Sequence, residues 1–84
     1  VGGVVTTMPM AMTFAVYHAG LTPEQALWSA TRGGALALED PEKGVVATGS
    51  VADLVVLDVG SAEDLVAEAG RDPVHRVIKD GNPL

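Results

Sequence analysis

Gly44-Val45-Val46-Ala47-Thr48-Gly49-Ser50-Val51-Ala52-Asp53-Leu54-Val55-Val56-Leu57-Asp58 decides how this chain is read. Glycines punctuate the stretch, and it ends in an apolar, β-branched run between two carboxylates. The run Leu54 to Leu57 reads as a strand that is apolar on both faces, and burial on both is expected. Val45 to Ala47 reads as a shorter strand ahead of it. Upstream, Glu39-Asp40-Pro41-Glu42-Lys43 breaks a helical pattern and marks the one boundary in the chain, near residue 40. Downstream, Ser61 followed three residues later by Asp64 opens a short helix or turn through Ala69, ended by Gly70. Val74 to Lys79 is a further strand, and Asp80-Gly81 is a turn feeding another strand near Leu84. The fold class is therefore α+β, with helices before residue 40 and short strands after it.

The helical half has its own punctuation. Met8 to Ala19 reads as a helix with Pro9 in its first turn and Gly20 at its close. Thr22-Pro23-Glu24-Gln25 combines an N-cap, a proline at the first helical position, a carboxylate suited to the dipole, and the partner of a capping box. In the helix that follows, Ala26, Leu27, Ala30, Leu36 and Leu38 form the expected inward stripe. Gly33-Gly34 costs about 1 kcal/mol per glycine relative to alanine, so close packing of another backbone is expected there.

The 84 residues suffice for one small core, which hides only about 60–65% of the unfolded surface. There is no cysteine, hence neither a disulfide framework nor a thiolate metal site. The net charge is -6 and the basic residues Arg32, Lys43, Arg71, Arg76 and Lys79 are scattered, which excludes a nucleic-acid footprint. Nothing before Glu24 is charged, yet Gly2, Gly3, Thr6, Thr7, Pro9, Thr13 and His18 interrupt any membrane span. Val1 and the uncharged start offer no signal peptide, so no membrane partner and a cytoplasmic location are expected. The apolar first helix is expected to be buried in something larger, and the missing initiator Met points the same way.

Little here carries chemistry. His18 and His75 lack a His-x-His or His-Glu-x-x-His context, so His18 reads as a helix-end residue and His75 as a strand residue. Gly44-x-x-x-x-Gly49-Ser50 lacks the phosphate-loop lysine and leads into a strand, so it is no phosphate cradle. Asp53 and Asp58 would lie roughly 16–17 Å apart across an extended segment, too far to share one substrate bond. Both read as structural carboxylates that accept backbone hydrogen bonds, Asp53 at the strand entry and Asp58 in the turn before Gly60. Trp28 reads as an interface filler, and Thr6, Thr7, Ser29 and Thr31 have no activating base nearby.

The Gly44-to-Asp58 stretch resembles the closing β segment of the amidohydrolase superfamily. That segment runs Gly-x-(Ile/Leu/Val)-x-x-Gly-x-x-Ala-Asp-(Leu/Phe)-Val-Val-(Leu/Trp)-Asp. Three other stretches resemble the C-terminal part of the imidazolonepropionase family within it. They are Met8-Pro9-Met10 before an apolar helix, Leu21 to Thr31 with Gly33-Gly34-Ala35-Leu36-Ala37-Leu38, and Arg71 to Gly81. The strand motif is shared by dihydroorotase-like, deaminase-like and prolidase-like amidohydrolases. The Met-Pro helix and Ala26-Leu27-Trp28-Ser29-Ala30-Thr31 favour imidazolonepropionase.

The resemblance implies a (β/α)8 barrel holding zinc or iron, whose activated water opens a cyclic amide. For the imidazolonepropionase family the resemblance implies opening of 4-imidazolone-5-propionate to N-formimino-L-glutamate, a step of histidine degradation. It implies that residues 1–40 are the last helices of the barrel and 41–84 part of the small β-sandwich beside it. The partners would be the remainder of the barrel and a small cyclic amide, with a homodimer open. No metal ligand or catalytic residue carries over, so the chain alone is expected to bind no metal and to be inactive. Gly2 and Gly3, in the loop where the family approaches its substrate, are the only substrate-proximal candidates. A reading from another class is a stand-alone binding module that buries its first helix in a partner or a second copy.

Overall fold

A computed structural model describes residues 7–68 and 71–84. The elements in chain order are α1 (Met8–Ala19), α2 (Pro23–Trp28), a π-helical segment (Ser29–Gly33), α3 (Gly34–Ala37), β1 (Leu54–Leu57), α4 (Ala62–Ala67), β2 (Val74–Lys79) and β3 (Asn82–Pro83). This is the expected α+β class.

Helix ends follow local chemistry. The Thr7 hydroxyl accepts from the Met10 N–H at 3.3 Å and starts α1, which stops at Gly20 with φ 79°. At α2 the capping box is complete: Thr22 Oγ1 accepts from Gln25 N–H at 3.1 Å, and Gln25 Oε1 accepts from Thr22 N–H at 2.9 Å. α2, the π segment and α3 form one rod, since Trp28, Ser29, Gly33 and Gly34 all keep right-handed helical angles. The Thr31 hydroxyl donates to the Leu27 carbonyl at 2.8 Å, competing with the backbone ladder where the rod turns π-helical. The rod ends in a Schellman motif. Asp40 N–H bonds the Ala35 carbonyl, Glu39 N–H bonds the Leu36 carbonyl, and Glu39 takes the left-handed position at φ 57°.

The sheet has the order β1-β2-β3 and is antiparallel throughout. β1 pairs with β2 as Leu54↔Ile78, Val55↔Val77, Val56↔Arg76 and Leu57↔Val74, so the register shift leaves His75 as the extra residue of a bulge. Asp80 (φ 50°) and Gly81 (φ 79°) make the expected turn, both left-handed as a tight two-residue hairpin requires. The strand it feeds starts at Asn82, earlier than expected.

The core lies among helices. Met12 of α1, Ala26 of α2, and Leu65 and Val66 of α4 are buried, with Ala15, Val16, Leu21, Leu27, Ala30, Leu57 and Val59 packed around them. The Thr13 hydroxyl donates to the Val66 carbonyl at 2.8 Å and ties α1 to α4. α4 is thus set by Ser61, whose Oγ accepts from Asp64 N–H, and by the apolar pair it inserts between α1 and α2. Its C-cap is Glu68, and the expected Gly70 end lies outside the described residues.

Several expectations fail. Val45 to Ala47 is not a strand: Gly44 (φ 75°) and Gly49 (φ 86°) bend the chain, and Ser50 N–H bonds the Ala47 carbonyl in a turn. Val46 is 85% exposed, because no strand among the described residues pairs with it. β1 is not buried on both faces. Val55 and Val56 are exposed, and only Leu57 reaches the core. Leu36 and Leu38 are exposed as well, since the rod packs through its first two turns and not its last. Gly33 and Gly34 meet only their own rod: a Cβ at Gly33 would stand 2.8 Å from Trp28 Cζ3, and one at Gly34 3.5 Å from the Ser29 carbonyl oxygen. The glycine pressed against the backbone of a different segment is Gly44, against Thr31.

Candidate functional site

Polar side chains of the described chain gather in three places. At the entry of β1, Asp53 Oδ1 accepts the Asp80 backbone N–H at 2.9 Å and Oδ2 accepts from Lys79 Nζ at 2.9 Å. Lys43 Nζ stands 3.5 Å from the same Oδ2. The backbone donor first, then the Lys79 ammonium, holds the Asp53 carboxyl below the usual carboxylate range, and Asp53 in turn raises Lys79. Asp53 accepts a backbone hydrogen bond at the strand entry, as expected, though the donor comes from the far hairpin and not from its own turn.

At the other end of β1, Arg71 Nη2 donates to Asp58 Oδ2 at 2.7 Å, while Nη1 donates to the Asp58 carbonyl and to Glu68 Oε2. The Glu68 contact first, and Asp58 after it, raises Arg71 further. Asp58 was expected to accept backbone N–H groups ahead of Gly60; its carboxylate instead takes the guanidinium. The third cluster is Arg32, whose Nη1 donates to the carbonyls of Pro41 at 2.6 Å and Lys43 at 2.8 Å. Reading the sequence missed Arg32 and Arg71 as clamps. Glu68, three residues before Arg71, was the one local signal; Arg32 had none, because its acceptors are backbone.

The carboxylates of Asp53 and Asp58 sit at opposite ends of β1, each neutralised by a cation, as their spacing implied. His18 lies in the last turn of α1 with its ring 5.7 Å from Phe14, and His75 is exposed in the bulge of β2. Trp28 is exposed over Gly33, and the Thr31 hydroxyl is spent on the rod. Among the described residues no group of three or more His, Cys, Asp and Glu side chains could hold a metal ion. No helix among them is long and apolar enough to cross a membrane.

The remaining candidate is the entrance to α1. Gly2 and Gly3 lie outside the described residues. The first described residue, Thr7, borders with Pro9 and Met10 a cleft of about 520 Å³ whose other wall is Arg71, Asp72, Pro73 and Val74. Its walls offer the start of a helix and one guanidinium already bound to carboxylates. These can position a ligand, and the one carboxylate in the wall, Asp72, accepts the Val74 N–H at 3.0 Å.

The family model described as Amidohydrolase family matches residues 1–84. An imidazolonepropionase of Cutibacterium acnes is 46% identical over 79 residues, covering 94% of this chain and 20% of that protein. One from Pyrobaculum arsenaticum is 42% identical, covering 92% of this chain and 20% of that protein. One from Streptomyces griseus is 40% identical, covering 90% and 20%. The chain therefore spans about a fifth of the length of the curated relatives it matches.

Proposed function

The chain belongs to the amidohydrolase family, and from that premise we propose that it is the C-terminal part of an imidazolonepropionase-type hydrolase. The observation that carries the reading is the identity to imidazolonepropionases across nearly the whole chain. The reaction is hydrolysis of a cyclic amide. Water adds at the ring carbon of 4-imidazolone-5-propionate, the ring C–N bond breaks, the nitrogen takes a proton, and N-formimino-L-glutamate results.

In this reading residues 1–40 are closing helices of the barrel and 41–84 contribute strands to its small β-sandwich. The exposed Phe14, Tyr17, Trp28, Val55 and Val56 support further protein against α1, the rod and β1. The described residues do not fit a metal site, so zinc or iron and its ligands are assigned to the rest of the parent, and no step is routed through them here. What this chain supplies is the entrance to α1: Gly2 and Gly3 carry the backbone close to the substrate, and Thr7 fixes where the helix begins. The isolated chain is inactive in this account. Assaying the native protein and the isolated chain for imidazolonepropionate opening tests it, with turnover expected in the first alone. Native protein that leaves this substrate untouched but opens a dihydroorotase-type ring would keep the family and overturn the substrate.

A further inference from the structure

Residues 42–51 leave the helical rod and return on themselves, closed by the Val51 N–H to Glu42 carbonyl bond at 2.9 Å. The base of this loop is gripped from two sides. On the rod side, Arg32 bonds the carbonyls of Pro41 and Lys43, and Gly44 lies flat against Thr31. On the sheet side, Asp53 receives the Asp80 N–H and the Lys79 ammonium, and the Gly81 N–H donates to the Ala52 carbonyl at 2.9 Å. Lys43 belongs to both sides. Its carbonyl is held by Arg32, and its ammonium stands 3.5 Å from Asp53 and 3.6 Å from Asp40.

We propose that this base is a latch with two unlike jaws, joining the rod to the sheet: the Asp53 jaw titrates and the Arg32 jaw does not. Removing the Asp53 charge frees the sheet end of the loop while its rod end stays held. The asymmetry follows from the partners. A guanidinium keeps its proton at any working pH and here donates to neutral carbonyls, so the two Arg32 bonds themselves do not titrate. Asp53 faces Lys43 from the loop, itself paired with Asp40, and Lys79 and the Asp80 N–H from the hairpin, and its protonation weakens every charge-assisted bond it accepts. The Asp80 N–H first, and the Lys79 and Lys43 ammonium groups after it, hold the Asp53 carboxyl below the usual carboxylate range and so keep the jaw shut through that range. The latch does not depend on the hydrolase reading, since it concerns only how this loop is held.

Amide hydrogen exchange, residue by residue, in the native protein that carries this chain tests the latch. Asp53→Asn is expected to speed exchange at Asp80 and Gly81 about tenfold or more, leaving Val51 within about twofold. Arg32→Gln is expected to do the reverse, loosening Val51 and sparing Asp80 and Gly81. Either variant that speeds all three amides together, or none, overturns the proposal. Where a variant does not fold, the wild-type protein at about pH 2 against pH 7, corrected for intrinsic rates, gives the same reading. Selective loss at Asp80 and Gly81 supports two jaws, and parallel loss with Val51 contradicts them.

Discussion

Gly44 lies face-on against Thr31: a Cβ at Gly44 would stand 2.6 Å from the Thr31 carbonyl oxygen and 2.8 Å from Arg32 Cα. Backbone meets backbone here, so no side chain can swing aside. Gly44 also holds φ +75°, a conformation that costs an L-residue roughly 1–2 kcal/mol. Gly49 shares the left-handed conformation at φ +86° but has nothing within 4 Å.

The two glycines are therefore expected to separate. Gly44→Ala loses about 3 kcal/mol or more, the conformational cost plus roughly 1–3 kcal/mol of overlap, whereas Gly49→Ala loses about 1 kcal/mol. Urea unfolding of both variants reads this, and equal losses would contradict the close approach.

Glu39 is the reverse case, a charged residue where the rod's Schellman motif favours glycine. Glu39→Gly is expected to raise stability by about 0.5–1 kcal/mol, relief of the left-handed strain outweighing the entropy of an added glycine. A lower unfolding midpoint would mean that the carboxylate does something the motif does not require.

Leu65 is 4% exposed and carries α4 into the space between α1 and α2. Leu65→Ala is expected to cost about 2–5 kcal/mol, a large share of what so small a core supplies. The thermal midpoint and loss of cooperativity measure it. A cost under about 1 kcal/mol would place the core elsewhere.

The Asp53–Lys79 pair fixes a pH window. Asp53 is held below its ordinary value, so its contribution is present above about pH 4 and disappears as pH falls through the lowered value. Lys79 is raised, so its contribution is complete below about pH 10 and is lost as pH rises through the raised value. The stability difference between wild type and Asp53→Asn should be flat from about pH 5 to 9 and vanish in strong acid. A difference that grows on acidification would have the wrong sign for this account.

What the sequence disclosed was short in range. Thr22-Pro23-Glu24-Gln25 starts a helix, Gly20 ends one, and Asp80-Gly81 turns a hairpin, each through atoms a few residues apart. Val74 to Lys79 was legible from β-branching alone. The errors sit where long-range partners decide. Val45 to Ala47 has strand composition but no strand beside it among the described residues, and β1 has a buried composition but, among them, a covering only at Leu57. The π-helical segment, the bulge at His75 and the two carbonyl bonds of Arg32 were hidden for the same reason: none leaves a pattern in spacing or charge. Of the candidate site, Gly2 and Gly3 lie outside the described residues, and the cleft beside Thr7 left no pattern in the sequence because its two walls are more than sixty residues apart.

The most direct test is to purify the native protein bearing this sequence, determine its subunit mass and metal content, and assay it on 4-imidazolone-5-propionate. The account predicts a subunit about five times the length of this chain, close to one zinc or iron per subunit, and ring opening to N-formimino-L-glutamate. A metal-free native protein of 8.6 kDa that leaves the ring intact would contradict it.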